Sequence, residues 1–276
     1  MSDLRPNQTN KYRALWELAH GKATVVSTPP KLQFARNNVC NFKCVYCSDH
    51  RPGNQIPRNH LEGEVWQNLV KLIPQSEQLA FHGISEFFVD TEFFDILGRS
   101  AAAGATLRLN TNGSVCTPRH LDALANYPGY LNINFSLDAA TPETFLRIRG
   151  QDFWKIVQKI KSYMDRFESR RSESWITLSF VINRSNVKEM LPFLFLAKAL
   201  KVDGVTFYRM HEYESLDWKV DAKQGGVFDY REECTGKFAD EYNRELENVR
   251  QAAALFGVQV DLPAPVAPEE LVAISQ

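Results

Sequence analysis

Short apolar runs rich in β-branched and aromatic residues alternate with longer segments whose apolar residues recur at helical spacing. The runs predict strands at residues 32–36, 78–82, 106–110, 130–137, 175–182 and 204–210. Strands that alternate with helices are typical of βα units, which form a parallel sheet. The pattern therefore predicts an α/β fold: a partial (β/α)6 TIM-like barrel with a short C-terminal extension. In such barrels the chemistry gathers at the C-terminal ends of the strands.

Capping signals predict where several helices begin and end. Thr117-Pro118 and Thr141-Pro142 each place a capping hydroxyl before a proline that suits the first helical turn. Gly104 and Gly257 follow predicted helices, at the position where a left-handed C-terminal cap is common. The stretch after Thr141-Pro142 is expected to break at Gly150 and then restart.

The apolar positions within the predicted helices indicate which faces pack inward. Residues 153–164 and 238–256 carry apolar side chains at helical spacing. A helix after residue 60 is expected to pack through one face that contains Leu61, Val65, Leu69 and Leu72.

Three segments are expected along the chain. Residues 1–29 form an N-terminal helical extension, residues 30–257 form the barrel, and residues 258–276 form a short strand and a tail that contains prolines. Neither an internal repeat nor a linker rich in Gly, Ser or Pro marks a boundary within the barrel segment.

Composition and charge argue against several classes of protein and partner. The 276 residues include 32 Lys and Arg against 33 Asp and Glu, which gives a formal net charge of −1. This balance provides no basic footprint for a nucleic-acid backbone, so no nucleic-acid partner is expected. The N-terminus lacks a secretory signal, and the longest apolar stretch, residues 191–200, is too short to span a bilayer. We therefore expect a cytoplasmic protein with no membrane partner.

Three of the five cysteines fall within eight residues, directly after the first predicted strand. Cys40, Cys44 and Cys47 have the spacing C-x3-C-x2-C, and a compact loop of this kind can direct three thiolates at one centre. Three ligands leave one coordination position open, which is a catalytic arrangement. The spacing favours a four-iron cluster with one open iron. The alternatives are unligated buried cysteines and a zinc site with His50 as fourth ligand.

The cysteine spacing, Tyr46 before the last cysteine and the βα units around them resemble the radical S-adenosylmethionine (radical SAM) enzymes over residues 30–256. Within that superfamily the chain looks most like the peptide- and small-molecule-modifying branch with SPASM or twitch extensions. The resemblance implies a 4Fe-4S cluster on Cys40, Cys44 and Cys47, with S-adenosyl-L-methionine bound to its open iron. It also implies an external one-electron donor of the flavodoxin or ferredoxin type. The expected activity is hydrogen abstraction from a peptide or small polar metabolite.

The resemblance also implies cofactor contacts at the second and third strand ends. Residues 82–86 depart from the family's Gly-Gly-Glu-Pro phrase but keep Gly83 and Glu86, which we expect near the methionine ammonium. Asn110 and Asn112 belong to a segment that resembles the family's Thr-Asn-Gly phrase, and their side chains suit ribose hydroxyls and the cofactor carboxylate. A plain turn is the alternative for both segments.

Further contacts are implied at the fourth strand and in the cysteine loop. Ser136 and Arg149 match the residues that the family places on the cofactor carboxylate, and an arginine fork suits a carboxylate. The alternative for Arg149 is a surface position at a helix break. Tyr46 is expected to lie against the adenine or its surroundings, because an aromatic face suits a heterocycle.

The remaining candidates concern substrate. Tyr208, Arg209 and His211 follow the sixth predicted strand, where they could contact substrate or simply form a solvated loop. Cys116 and Cys234 are too few for a four-thiolate auxiliary cluster, so no such cluster is expected. Without that electron sink, a redox-neutral, epimerase-like outcome is plausible, with Cys234 as a hydrogen donor. The alternatives are a small buried Cys234 and, for the whole chain, a non-catalytic cofactor-binding or regulatory protein.

Overall fold

The computed structural model describes residues 4–53, 56–211, 218–223 and 225–267. Within them, seven strands form one parallel sheet that does not close into a complete barrel. The strand order is β1-β2-β3-β4-β5-β6-β9, and β7 pairs with β8 in a separate antiparallel hairpin. The strands are β1 (Lys31–Gln33), β2 (Gln78–Phe81), β3 (Thr106–Thr111), β4 (Leu131–Ser136), β5 (Ser174–Ile182), β6 (Gly204–Arg209), β7 (Lys219–Asp221), β8 (Val227–Asp229) and β9 (Gln259–Asp261).

Helices connect successive strands of the sheet, which confirms the predicted α/β partial barrel. The described α-helices are α1 (Pro6–Ala19), α2 (Gly63–Leu72), α3 (Phe93–Ala103), α4 (Pro118–Ala125), α5 (Pro142–Arg149), α6 (Phe153–Phe167), α7 (Met190–Ala199), α8 (Tyr230–Glu233) and α9 (Ala239–Phe256). Among these helices, none is both long enough and apolar enough to cross a bilayer.

The two faces of the sheet differ in polarity because neighbouring residues of a strand point to opposite faces. On β3, Leu107 and Leu109 are buried in the main hydrophobic core against the helices. Arg108 and Asn110 lie on the opposite face, which we call the inner face, and both are exposed. Polar residues continue across this face on β4, so the hollow of the partial barrel is lined by polar groups.

The predicted capping signals are confirmed. Thr117 accepts a hydrogen bond from the backbone N–H of His120 at the start of α4, and Thr141 caps α5 in the same way. Gly104, Gly150 and Gly257 take φ values of 63°, 70° and 64° at the ends of α3, α5 and α9. Each of these three helices ends at a glycine in the left-handed conformation. Gly150 separates α5 from α6, as predicted.

The prediction for the face of α2 is wrong at one position. Val65 is 62% exposed, whereas Trp66 packs against Phe34 with ring centroids 6.1 Å apart. The Cζ of Arg36 lies over the same indole, 5.2 Å from its centroid. The large indole gains more from contact with the core than the small valine, so the helix is rotated toward Trp66.

The sheet extends beyond the six predicted barrel strands at one edge. β9 pairs with β6 in parallel, with Gly204 opposite Gln259. A Cβ on Gly204 would lie 3.0 Å from the carbonyl oxygen of Gln259, so glycine permits this close pairing. The division of the chain into an N-terminal extension, a barrel and a tail stays a prediction.

The β7–β8 hairpin was not predicted from the sequence. It supports a second hydrophobic cluster, separate from the main core, in which Trp218, Phe228 and Tyr230 pack with Val45 and Ile148. Val45 belongs to the cysteine loop and Ile148 to α5. The hairpin therefore covers the elements that carry the cysteines and Arg149.

Candidate cluster and cofactor site

The three clustered cysteines lie in the loop after β1 and line one cavity. All three are free thiols, and Cys44 is buried. Nitrogen donors approach two of the sulfurs: the backbone N–H of Phe42 lies 3.5 Å from Cys40 Sγ, and Arg149 Nη1 lies 3.6 Å from Cys44 Sγ. Such contacts favour the thiolate form that binds iron.

Burial raises the pKa of each of these thiols, that of Cys44 to about 12. Without a bound cation the cysteines therefore stay protonated, and a cationic iron centre is what would favour their deprotonation. A set of three sulfur donors beside a polar cavity fits a cluster that keeps one iron open.

The alternative of a zinc site requires His50 as the fourth ligand. This side chain is not among the residues that line the cavity. In the described part of the chain, no three His, Cys, Asp or Glu side chains converge closely enough to hold a single metal ion, whereas each thiol of a 4Fe-4S site binds a different iron.

The residues predicted to contact the cofactor all line the same cavity as the cysteines. Gly83 and Glu86 follow β2, Asn110 and Asn112 lie at the end of β3, and Ser136 ends β4. The C-terminal ends of parallel strands meet at one edge of the sheet, which is why separate segments of the sequence converge here. Tyr46 and Arg149 complete the lining. The structure thus brings this set together, while each residue's role stays a prediction.

Glu86 is held by three donors at the junction of β2 and β3. Its carboxylate accepts hydrogen bonds from Thr111 Oγ1 at 2.7 Å, from the backbone N–H of Asn112 at 2.7 Å and from that of Phe88 at 3.3 Å. Burial raises the pKa of Glu86, and these donors oppose that shift. Glu86 therefore links the loops that follow β2 and β3, in addition to its predicted contact with the methionine ammonium.

We expect Glu86→Gln to destabilise the fold by about 1–3 kcal/mol, because the amide nitrogen would face a backbone or hydroxyl donor and leave it unpaired. Urea unfolding under anaerobic conditions measures the effect. Glu64→Gln, at an exposed position in α2, is the matched control and should change stability by less than about 0.5 kcal/mol. Equal midpoints for the two variants would show that the buried carboxylate does not hold the loops.

A buried carboxylate that the sequence analysis did not assign, Asp138, organises the other side of the cavity. Its side chain forms an ion pair with Arg149 and accepts the hydroxyl hydrogen bond of Tyr46. It also accepts from the backbone N–H of Val181 at 2.8 Å. Asp138 has a φ of 61°, a left-handed conformation that Asp tolerates better than most residues. Its position two residues after Ser136 was the available signal.

Arg149 is consequently oriented from two sides. Its guanidinium bonds to Asp138 and to Cys44 Sγ, and its Cζ lies 5.9 Å from the centre of the Tyr46 ring. The Tyr46 hydroxyl is engaged by Asp138. Arg149 is 6% exposed, so the alternative of a surface arginine is wrong.

Hydrogen bonds link Ser136 to the inner face of the sheet. Ser179 Oγ lies 3.4 Å from Ser136 Oγ and accepts from Asn134 Nδ2 at 3.1 Å. Thr177 in turn donates to Asn134 Oδ1 at 3.1 Å. Asn110 lines both the cofactor cavity and a second cavity on the inner face. The two cavities therefore adjoin.

The predicted substrate residues are not brought together. Tyr208 lines the inner-face cavity. Arg209 donates from Nε to Thr235 Oγ1 at 3.0 Å, and His211 accepts at its carbonyl from Tyr230 at 2.5 Å. Neither Arg209 nor His211 is among the residues that line either cavity. Arg209 follows Tyr208 in β6, and side chains next to each other in a strand point to opposite faces.

The two isolated cysteines lie apart from the cofactor cavity. Cys234 Sγ lies 3.3 Å from the carbonyl oxygen of Tyr230 and packs against the second hydrophobic cluster. Tyr46 packs against that same cluster. Burial raises the pKa of Cys116 to about 12. The role of Cys234 as a hydrogen donor stays a prediction.

The fold and the site define a class of enzyme, and comparison with known families assigns the chain to it. The model of the radical SAM superfamily matches residues 36–194, which is more than half of the sequence. The chain belongs to the radical SAM superfamily.

The individual proteins that match this chain are only distantly similar to it in sequence. The chain is 26% identical over 194 residues to a protein named probable GTP 3′,8-cyclase from Saccharolobus islandicus, and 25% identical over 195 residues to one from Saccharolobus solfataricus. Both matches cover 65% of this chain and 56% of the relative. The chain thus matches little more than half the length of these curated relatives.

Solved structures share the fold. Streptococcus suis SuiB bound to S-adenosylmethionine superposes with a TM-score of 0.64 at 12% identity, covering 95% of this chain and 55% of SuiB. The protein anSMEcpe with bound AdoMet superposes with a TM-score of 0.61 at 18% identity, covering 85% of this chain and 64% of that protein. At these identities the likeness shows the fold alone, and it confirms the partial barrel.

Proposed function

We propose that this chain cleaves S-adenosylmethionine reductively at a 4Fe-4S cluster held by Cys40, Cys44 and Cys47, and abstracts a hydrogen atom from a polar substrate. One observation carries the proposal: the three thiols and every predicted cofactor contact line a single cavity. Membership of the radical SAM superfamily supports the same chemistry. A 4Fe-4S cluster held by these thiols would supply the electron that cleaves the sulfonium into methionine and a 5′-deoxyadenosyl radical.

The protein's part in this proposal is to bind and orient the cofactor. Arg149 is fixed by Asp138, so a cofactor carboxylate would meet a guanidinium that is already oriented. Ser136 lines the same cavity. Glu86 also lines it, and its carboxylate can attract the methionine ammonium. Burial of this side of the cavity limits the access of water to the reacting atoms.

We propose a peptide or a small polar metabolite as substrate. The curated relatives are named for a reaction of GTP, whereas SuiB and anSMEcpe were solved with bound peptides. Both kinds of molecule are polar, which agrees with the polar inner face beside the cofactor cavity. The electron would come from an external donor of the flavodoxin or ferredoxin type.

We further propose that the reaction is redox-neutral and that Cys234 returns a hydrogen atom to the substrate radical. Supporting it, Cys234 and Tyr46 pack against one hydrophobic cluster, so the thiol belongs to the same side of the molecule as the cofactor cavity. The thiol hydrogen would pass to the substrate carbon and leave a sulfur radical, which an external electron and a proton would then reduce.

The experiment is anaerobic reconstitution with iron and sulfide, followed by dithionite and S-adenosylmethionine. We expect 5′-deoxyadenosine to form at a rate at least about tenfold above that of protein without iron, because only the cluster can supply the electron to the sulfonium. Chromatography quantifies the nucleoside. A protein that binds iron and the cofactor yet releases no 5′-deoxyadenosine is the non-catalytic module of the alternative.

A further inference from the structure

An arginine without a protein partner lies in the hollow of the partial barrel. Arg108 is on the inner face of β3, and its side chain is exposed there. Among the described residues it forms neither a hydrogen bond nor an ion pair. Its neighbours across the sheet are Ala80 on β2 and Asn132 on β4, neither of which is acidic. The residues opposite Arg108 on the two neighbouring strands thus provide no counter-charge for its guanidinium.

The cavity around Arg108 has the size and polarity of a small-molecule site. It encloses about 440 Å³, within the range that ligand pockets occupy. Amides and hydroxyls dominate its wall, including Asn132, Asn134 and Thr177, and Trp175 adds an aromatic surface. Among the described residues that line it, Arg108 alone carries a permanent charge, and none is acidic.

The neighbouring histidine does not alter this charge balance. His82 also lines the cavity, and its Nδ1 lies 3.3 Å from Gln33 Nε2. Burial lowers the pKa of His82, and repulsion from Arg108 lowers it further. The positive charge of the cavity is therefore that of Arg108.

We infer that Arg108 binds an oxyanion, a carboxylate or a phosphate, carried by the substrate. An arginine fork recognises either group with two parallel charge-assisted hydrogen bonds. The polar wall can take up the uncharged part of the molecule. The inference rests on the proposed function only in naming the bound molecule as the substrate of the radical.

The position of Arg108 also sets the distance between the oxyanion and the reacting carbon. Asn110, which lines both cavities, is two residues further along β3. Two residues of strand span about 7 Å. A substrate held by Arg108 therefore presents to the cofactor a carbon several bonds away from its anionic group. This spacing suits an amino-acid side chain or a sugar phosphate and excludes the smallest anions as substrates.

The test is direct binding of dianionic probes to the reconstituted protein, by calorimetry in the presence of S-adenosylmethionine so that the Arg149 side of the cofactor cavity is filled. Methyl phosphate represents the phosphate source and glutarate the carboxylate source, with glutaramide as the neutral probe. We expect one dianion to bind and glutaramide not to bind. Arg108→Gln should weaken that binding at least about tenfold, and Arg108→Lys should weaken it less.

The control is Arg13→Gln, which removes the same charge from an exposed position on α1 and should leave binding unchanged. Failure of both dianions to bind, or equal binding by wild type and Arg108→Gln, would overturn the inference. Formation of 5′-deoxyadenosine without substrate is measured in parallel and should be the same in wild type and Arg13→Gln. Its absence from the wild type would count against the proposed function and not against the oxyanion site.

Discussion

Replacing Cys44 with alanine should lower the iron content of the reconstituted protein from about four atoms per chain to below about one. Cys44 is the most buried of the three clustered cysteines, so water cannot easily replace its sulfur as a ligand. With one of three thiolates missing, the remaining two have no other soft donor beside them in the cavity wall. Release of 5′-deoxyadenosine should fall at least about a hundredfold, more than for loss of a residue that only supports a ligand.

The matched control is Cys116→Ala, which removes a partly buried thiol outside the cavity. This variant should keep its iron and its absorbance. Iron and sulfide analysis with the visible spectrum measures both proteins. Full iron in Cys44→Ala, or equal loss in Cys116→Ala, would mean that the three clustered thiols do not hold the cluster.

Replacing Asp138 with asparagine should destabilise the protein by about 3–5 kcal/mol, since the buried Arg149 guanidinium then lacks a counter-charge. The side chain of Asp138 is 0% exposed and that of Arg149 is 7% exposed, so solvent cannot compensate. Asparagine is the suitable variant because it tolerates the φ of 61° at this position. The thermal midpoint of the cluster-free protein should fall by roughly 5–10 °C.

A double variant separates the ion pair from other effects. Arg149→Met alone leaves the Asp138 carboxylate buried without its cation, so it should also destabilise the protein. Asp138→Asn with Arg149→Met removes both charges, and its loss should be smaller than the sum of the two single losses by at least about 1 kcal/mol. Strict additivity, or single variants as stable as the wild type, would refute the role of Asp138 as the partner of Arg149.

Local sequence signals were sufficient to predict most strands of the sheet and the ends of several helices. Strand positions follow from runs of apolar residues, and the caps at Thr117 and Gly150 depend on side chains and φ values of single residues. The exposed side chain of Val65 shows that the spacing of apolar residues alone does not identify every buried position of a helix. Periodicity identifies an apolar face, but only the packing against Phe34 decides that Trp66 lies closest to the core.

The residues that line the candidate site were predictable, whereas the hydrogen bonds and ion pairs between them were not. The resemblance to the radical SAM enzymes implied that Glu86, Ser136 and Arg149 would meet at the cofactor. Their hydrogen-bond partners depend on contacts between segments far apart in sequence, such as the pairing of Asp138 with Arg149. The polar inner face had a visible signal, since Arg108 alternates with buried leucines on β3. The β7–β8 hairpin had none, because such short strands lack a clear period.

Electron paramagnetic resonance of the reduced, reconstituted protein tests the central claim most directly. The claim is that three cysteines hold a 4Fe-4S cluster whose remaining iron is free to bind S-adenosylmethionine. The account predicts a reduced-cluster signal of about one spin per chain that changes in shape when S-adenosylmethionine is added. A signal that the cofactor leaves unchanged, or a protein that assembles no such cluster, would contradict it.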